Sequence, residues 1–400
     1  MKRPPYLPIL LLTFGTALST LSLAAKYQPI NEIPHSVPES QEEKQIWEIG
    51  KAHQKQVRET GEVIDDPEME AQLEALVTRL MGDMVETIGM EVKVLIFKDP
   101  TVNAWVYPDG TIAVQTGLLA ELENEAQLAA ILGHEISHFL NRHAYIQIKS
   151  KQKQSAIGKG LGLLATAAVA AKTGALDTSL MGAGQVWTDL VTSGYSRKLE
   201  TKADEQGLAL LVAAGYEPNQ ALPAFEALRI KEDDQVNVGK IWSSHPDIDS
   251  RLKNLKKQIK RIKSPPHNIP PEQSYVEAYG NALLVDAQLD LQRQRYQRAH
   301  KTLQRYTRAL PDRPIGHYMV GEAYRKEYPE GPDFKPRLTA YQKAIAVDPK
   351  FALAHKELGM AYRQQQLNEL ATAAFDRYLA LAPDAADAPI IRWYIDSSNQ

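Results

Sequence analysis

The stretch that most constrains this chain is His134-Glu135-Ile136-Ser137-His138. On a helix, side chains at i and i+4 lie one above the other on a single face, so two imidazoles at this spacing can reach one metal ion. Glu135, one step round, is then close enough to hold and deprotonate a water at that ion. With ten histidines in 400 residues, chance supplies such a motif only about 0.02 times per chain of this composition. Two histidines on an ordinary helix surface are the bland alternative, and the supply of further ligands weighs against it. Gly133 leaves room beside the motif for close approach by another element.

There is no cysteine. Thiolate zinc sites, iron–sulfur clusters, disulfides and thiol nucleophiles are therefore excluded, and any metal must be held by His, Asp or Glu. The formal net charge of −3 argues against a nucleic-acid binder built on overall positive charge.

A catalytic zinc ion normally takes a third protein ligand and keeps one position open. The metzincin spacing would need Gly and His where Asn141 and Ala144 stand, and His143 falls one residue early, so that class is excluded. Glu200 and Asp204 are better candidates, because a helix would place both on one face. One carboxylate would ligate the ion and the other would accept a hydrogen bond from a ligand histidine, fixing its tautomer. Two acids at this spacing also form solvated faces with lysines, so spacing alone leaves the choice open.

Around these residues the pattern predicts a mainly helical α+β domain with a small sheet. Residues 39–90 read as helical, Val92 to Phe97 as a strand, and Ala104 to Thr116 as a hairpin about Pro108-Asp109-Gly110. Asn124 opens a helix expected to run to about Lys149, and further helices are expected near 197–214, 219–230 and 248–263. Ile112 to Gln115 is read as a sheet edge, with Ile112 and Val114 as candidate contacts for an extended substrate. Tyr107 and Tyr195 are weaker candidates for donating to an oxyanion. The 251–263 segment has seven Lys or Arg and no acid; a helix packed on the core with a solvated outer face fits it better than peripheral membrane contact.

The ends of the chain read differently. Lys2 and Arg3 precede an interrupted apolar run, and Ser22 and Ala24 have the spacing of a signal-peptidase site, so 1–24 is expected to be a secretory signal and the mature chain periplasmic. A membrane anchor is the alternative reading. Pro265, Pro266, Pro270 and Pro271 mark a linker over 265–271, dividing a domain at 25–264 from one at 272–400. A chain ending near Ser264 is expected to fold by itself. Beyond the linker, Leu358-Gly359, Tyr362, Ala371, Phe375 and Pro383 fit a tetratricopeptide unit. Gly321, Tyr324, Ala340 and Pro349 mark a second, with about four extra residues placed in 328–334. Ala299, Leu303, Tyr306 and Pro311 mark a weaker third.

Taken in order, these pieces resemble the M48 family of gluzincin metalloproteases. Within it they are most similar to periplasmic, tetratricopeptide-bearing members of the beta-barrel assembly-enhancing type. The resemblance is carried by Asn103-Ala104 before the hairpin, Gly117-Leu118-Leu119 after it, and His134-Glu135-x-x-His138 leading to Arg142-His143. Glu200-x-x-x-Asp204, Ser244-His245-Pro246, Arg251 and the repeats complete it. It implies one Zn2+ held by His134, His138 and Glu200, Glu135 as general base, Asp204 in the catalytic apparatus with Arg251 supporting it, and Asn103 near substrate. It also places His245 beside the site, as a fourth ligand that latches it shut or as a transition-state donor. The implied activity is endoproteolysis of unfolded or misassembled envelope proteins, with the repeats recruiting partners such as the outer-membrane assembly machinery. The rival reading is a periplasmic chaperone or scaffold whose metal site is mainly structural.

Overall fold

A computed structural model describes residues 38, 40–155, 194–229, 248–262, 269–329 and 335–398. The expected signal segment, the 156–193 region and His245 lie outside the described residues.

The helical stretch expected over 39–90 is three helices, α1 (Gln41–Glu59), α2 (Pro67–Met81) and α3 (Met84–Ile88). Asp66 makes the main break. Its carboxylate accepts from the Met69 amide at 3.1 Å, and Pro67 follows at the first helical position, where a missing N–H costs nothing.

Strands β1 (Val94–Phe97), β2 (Ala104–Val106) and β3 (Ile112–Gln115) form one sheet in the order β1-β3-β2. β2 and β3 make the expected antiparallel hairpin, with Trp105 opposite Ala113. Its turn requires glycine: Gly110 has φ +89°, and a Cβ there would lie 3.0 Å from the Phe139 ring. β1 pairs with β3 in parallel, Val94 opposite Ile112. The central strand is therefore Ile112–Gln115, and the reading of it as an edge is corrected. Both neighbours use its backbone groups, and Ile112 and Val114 are 1% and 0% exposed, so neither is placed to pair with substrate. The strands alternate faces. Ile96, Ile112 and Val114 join the main core, whereas Leu95, Phe97 and Ala113 join a second cluster with Ile49 and Val57 of α1.

α4 (Thr116–Glu121) leads into α5 (Glu125–Leu140), whose residues from Ala126 onward are all buried. Asn124 caps it, its side-chain oxygen accepting from the Gln127 amide at 3.0 Å. The helix ends earlier than expected because Arg142 turns left-handed (φ 53°). α6 (His143–Ser155) then departs in a new direction, and α7 (Arg197–Ala213), α8 (Ala221–Ala227) and α9 (Ile248–Ile259) complete this part.

The helical hairpins follow: α10 (Glu272–Gln292) with α11 (Tyr296–Ala309), α12 (Pro314–Glu327) with α13 (Lys335–Val347), and α14 (Ala352–Gln364) with α15 (Asn368–Leu381), then α16 (Ala388–Ser398). In each hairpin a glycine of the first helix seats an aromatic ring of the second. A Cβ on Gly321 would come within 2.3 Å of Tyr341, and one on Gly359 within 2.6 Å of Phe375.

The first hairpin does not stand apart from the preceding domain. Tyr275, Val276, Tyr279, Leu283 and Tyr306 belong to the same apolar cluster as Leu118, Leu119 and Leu132. The Tyr275 hydroxyl donates to the Leu119 carbonyl at 2.9 Å, and Arg305 donates to that of Ala120 at 2.9 Å. The result is an α+β unit with a small sheet, continued by stacked helical hairpins.

Candidate metal centre

α5 and α7 cross at a pair of glycines, and that crossing builds the site. A Cβ on Gly133 would sit 2.9 Å from the Gly207 carbonyl oxygen, and one on Gly207 only 2.8 Å from the His134 amide nitrogen. Backbone contact this close brings Glu200 and Asp204, on the preceding turns of α7, against the histidine face of α5.

His134, His138 and Glu200 are all buried and converge. The two Nε2 atoms lie 3.0 Å apart; Glu200 reaches them at 3.6 Å (His134) and 3.4 Å (His138). The other ring nitrogens are engaged. His134 Nδ1 lies 3.0 Å from an Asp204 carboxylate oxygen, and His138 Nδ1 lies 2.9 Å from His143 Nδ1. Burial, with help from Lys202 and His134, pushes the His143 imidazole down to about 4, so it is neutral at neutral pH and can accept from His138. When both Nδ1 atoms donate, two Nε2 lone pairs face each other beside a carboxylate, with an Arg251 nitrogen 3.3 Å from that of His134. Such a pair repels unless a cation lies between the ring nitrogens.

Charge balance points the same way. Arg251 of α9 is buried among Glu135, Glu200 and Asp204, which are buried too. Its guanidinium meets Asp204 at 2.6 and 3.0 Å and Glu200 at 3.0 Å, and stacks on the Phe225 ring at 4.9 Å. Burial pushes the Asp204 carboxyl up, but Arg251 and His134 outweigh it and hold the group below its ordinary value. Three carboxylates against one guanidinium leave two negative charges when the imidazoles are neutral. Uncompensated buried charge is costly, and a divalent cation would close the balance. Two imidazoles and a carboxylate suit zinc.

The remaining candidates fall into place around this centre. Asp204 touches His134 and Arg251, which is the placement an acid that accepts from a ligand histidine requires. Tyr195 stacks on His138 with ring centroids 4.0 Å apart, and burial pushes its hydroxyl far up, so it stays protonated and able to donate. Tyr107 is fully buried, with its hydroxyl 2.8 Å from His53 Nδ1. Asn103 is buried, and its carbonyl accepts from the Gln115 amide at 3.1 Å, closing the end of the sheet. Sequence reasoning missed Glu43 and Trp47 of α1. They wall a cleft beside His138 with Pro108, Tyr145 and Tyr195, and Glu43 holds Arg142 in an ion pair (Nε to Oε1 2.8 Å). Nothing local marks them, since Glu43 reads as an ordinary acid in a first helical turn.

With this geometry established, comparison with known proteins is direct. Residues 67–259 match the sequence profile of peptidase family M48. This part of the chain belongs to that family. The chain is 25% identical over 232 residues to a putative beta-barrel assembly-enhancing protease of Vibrio cholerae, covering 56% of this chain and 46% of that one. It is 25% identical over 224 residues to the beta-barrel assembly-enhancing protease of Escherichia coli, covering 55% and 45%. Against the mitochondrial metalloendopeptidase OMA1 of Schizosaccharomyces pombe it is 30% identical over 193 residues, covering 46% and 54%. The chain thus spans about half the length of these curated relatives. Among solved structures, the TPR2AB domain of yeast Sti1 in its pHSP90 complex matches at a TM-score of 0.27 and 15% identity. That match covers 71% of this chain and all of that one, and is too distant to carry an argument. Among the described residues, no helix is long and apolar enough to cross a membrane.

Proposed function

We propose that the chain is a zinc-dependent endopeptidase. The observation that carries this reading is the convergence of His134 Nε2, His138 Nε2 and Glu200, with both Nδ1 atoms already engaged and Glu135 beside them. His134, His138 and Glu200 would hold the ion, which when bound supplies Lewis acidity toward a peptide carbonyl and makes a nearby water more acidic. Glu135 takes the proton from the attacking water and delivers it to the departing nitrogen. Asp204 keeps the His134 proton on Nδ1, and Arg251 locks both carboxylates of α7 in place.

The export signal expected at 1–24 and the named relatives support a periplasmic setting, with unfolded or misassembled envelope proteins as substrates. The stacked hairpins supply a surface for recruiting them or the outer-membrane assembly machinery. The test is zinc analysis together with degradation of casein by the purified chain and by Glu135→Gln. The reading expects about one zinc per chain in both proteins and cleavage only by the first. Cleavage at an unchanged rate by Glu135→Gln would remove this mechanism. Stoichiometric metal without any proteolysis would favour the scaffold alternative.

A further inference from the structure

The turn from α5 into α6 hinges on Arg142. Its amide donates to the Phe139 carbonyl at 2.8 Å, closing α5, and its carbonyl accepts from the Ile146 amide at 3.0 Å, opening α6. To do both, Arg142 sits in the left-handed region at φ 53°. Glycine adopts that conformation freely, whereas a residue with a Cβ is strained in it. An arginine at this position needs a contact that holds it there.

Glu43 supplies that contact from α1. Arg142 Nε donates to Glu43 Oε1 at 2.8 Å, and a second guanidinium nitrogen meets the other carboxylate oxygen. A two-point pair of this kind fixes the orientation of the guanidinium as well as its distance. The Glu43 carboxylate is buried, and its helix is anchored in turn. Ser40 caps the first turn of α1, accepting from the Glu43 amide at 3.2 Å, and Ile46 and Trp47 are buried just beyond. The guanidinium also lies over the Tyr145 ring, 5.4 Å from its centroid.

The backbone angles of Arg142 decide where the next residue goes. His143 begins α6, is buried, and places its Nδ1 2.9 Å from that of His138. Tyr195, stacked on His138, restrains the plane of that ring. The contact with His143 fixes its rotation within the plane and which nitrogen carries the proton. We propose that Glu43 is a positioning residue of the metal centre, holding Arg142 left-handed so that His143 keeps His138 Nε2 turned toward His134 and Glu200. The proposal rests on the reading of these three residues as metal ligands.

Two measurements on the full chain test it. Zinc affinity is read by chelator competition. The 15N shifts of His138 and His143, read on histidine-labelled protein stripped of metal, report where their shared proton sits. Glu43→Gln should weaken zinc binding by about tenfold and move both sets of shifts. Glu43→Asp, which keeps the charge and shortens the reach, should act in the same direction by less and covers the case in which Glu43→Gln does not fold. Arg142→Ala should act at least as strongly as Glu43→Gln, since it loses the pair and keeps the strained conformation. Glu43→Gln combined with Arg142→Gly should return both readouts to near the wild-type values, because glycine needs no ion pair to be left-handed. A merely structural role for Glu43 would show no such rescue. Zinc affinity and shifts unchanged in both Glu43 variants, or a double variant no better than Glu43→Gln alone, overturn the proposal. If the wild type takes up no zinc, the metal-site reading fails, and shifts that move in Glu43→Gln and return in the double variant still uphold the positioning role.

Discussion

Gly133 and Gly207 touch backbone to backbone, and the metal centre depends on that contact. A Cβ on Gly207 would press on the His134 amide nitrogen at 2.8 Å. No flexible side chain is available to yield there; α7 itself must move. Because Glu200 and Asp204 ride on α7, displacement of the helix is displacement of one proposed ligand and of the group proposed to orient another.

Gly207→Ala should therefore cost about 1–3 kcal/mol of stability, in the range of overpacked cores, and should also weaken zinc binding by about tenfold or more. A chelator competition titration reads the second effect. A variant that retains wild-type zinc affinity would mean the crossing does not set ligand geometry.

Asp204 and Arg251 can be separated from the ligands by the same titration. Asp204→Asn removes the carboxylate that accepts from His134 Nδ1 and leaves Arg251 with Glu200 and Glu135. Loss of such an orienting partner typically costs about 10–100-fold in metal affinity, whereas Glu135→Gln should leave affinity nearly unchanged because Glu135 is not a ligand. Equal affinities for all three proteins would contradict the assigned roles.

What the sequence discloses about this molecule is what local spacing can encode. The i, i+4 histidines, the Gly110 turn and the pairing of Gly359 with Phe375 each lie within one element or one hairpin, so their geometry follows from helical or strand period. Sheet order is different. β3 becomes central only because β1 pairs with it in parallel across an intervening strand, and nothing in Ile112–Gln115 announces that partner. The contact of Arg251 with Asp204 spans 47 residues, and that of Arg142 with Glu43 spans 99; both are fixed by packing. The early end of α5 at Arg142 was hidden for another reason. A left-handed arginine follows Asn141 there, without the Gly or Pro that would have marked the stop.

The core extends past the prolines of 265–271 that were expected to bound it. Removing everything after residue 262 would strip Tyr275, Val276, Tyr279, Leu283 and Tyr306 from the main cluster. Each fully buried side chain of this kind contributes about 1.5–3 kcal/mol, and their sum is comparable with a total stability of about 5–15 kcal/mol. A chain ending at 262 should thus aggregate or melt without a cooperative transition, while one ending at 313, after the first hairpin, should melt cooperatively and retain zinc. Calorimetry on both decides it. A cooperative transition in the shorter protein would restore the division at the linker.

The contact between the first hairpin and the sheet also carries a pH dependence. Asp286 of α10 is 1% exposed at the junction with α4. Burial raises its carboxyl, Asp290 on the same helix raises it further, and Arg298, Arg295 and the Thr116 hydroxyl oppose them, leaving it near about 8. An unfolded aspartate titrates near about 4. Between these values the folded chain holds a proton that the unfolded chain has released, so this group's contribution to stability falls as pH rises from about 4 toward 8 and is level beyond. Asp286→Asn keeps a neutral, hydrogen-bonding side chain at every pH. The melting temperature of Asp286→Asn minus that of the wild type should therefore grow with pH across this window and then stop growing. Taking the difference cancels titrating groups that the two proteins share. A difference that is constant, or that shrinks as pH rises, would show that Asp286 is ionised at the junction throughout.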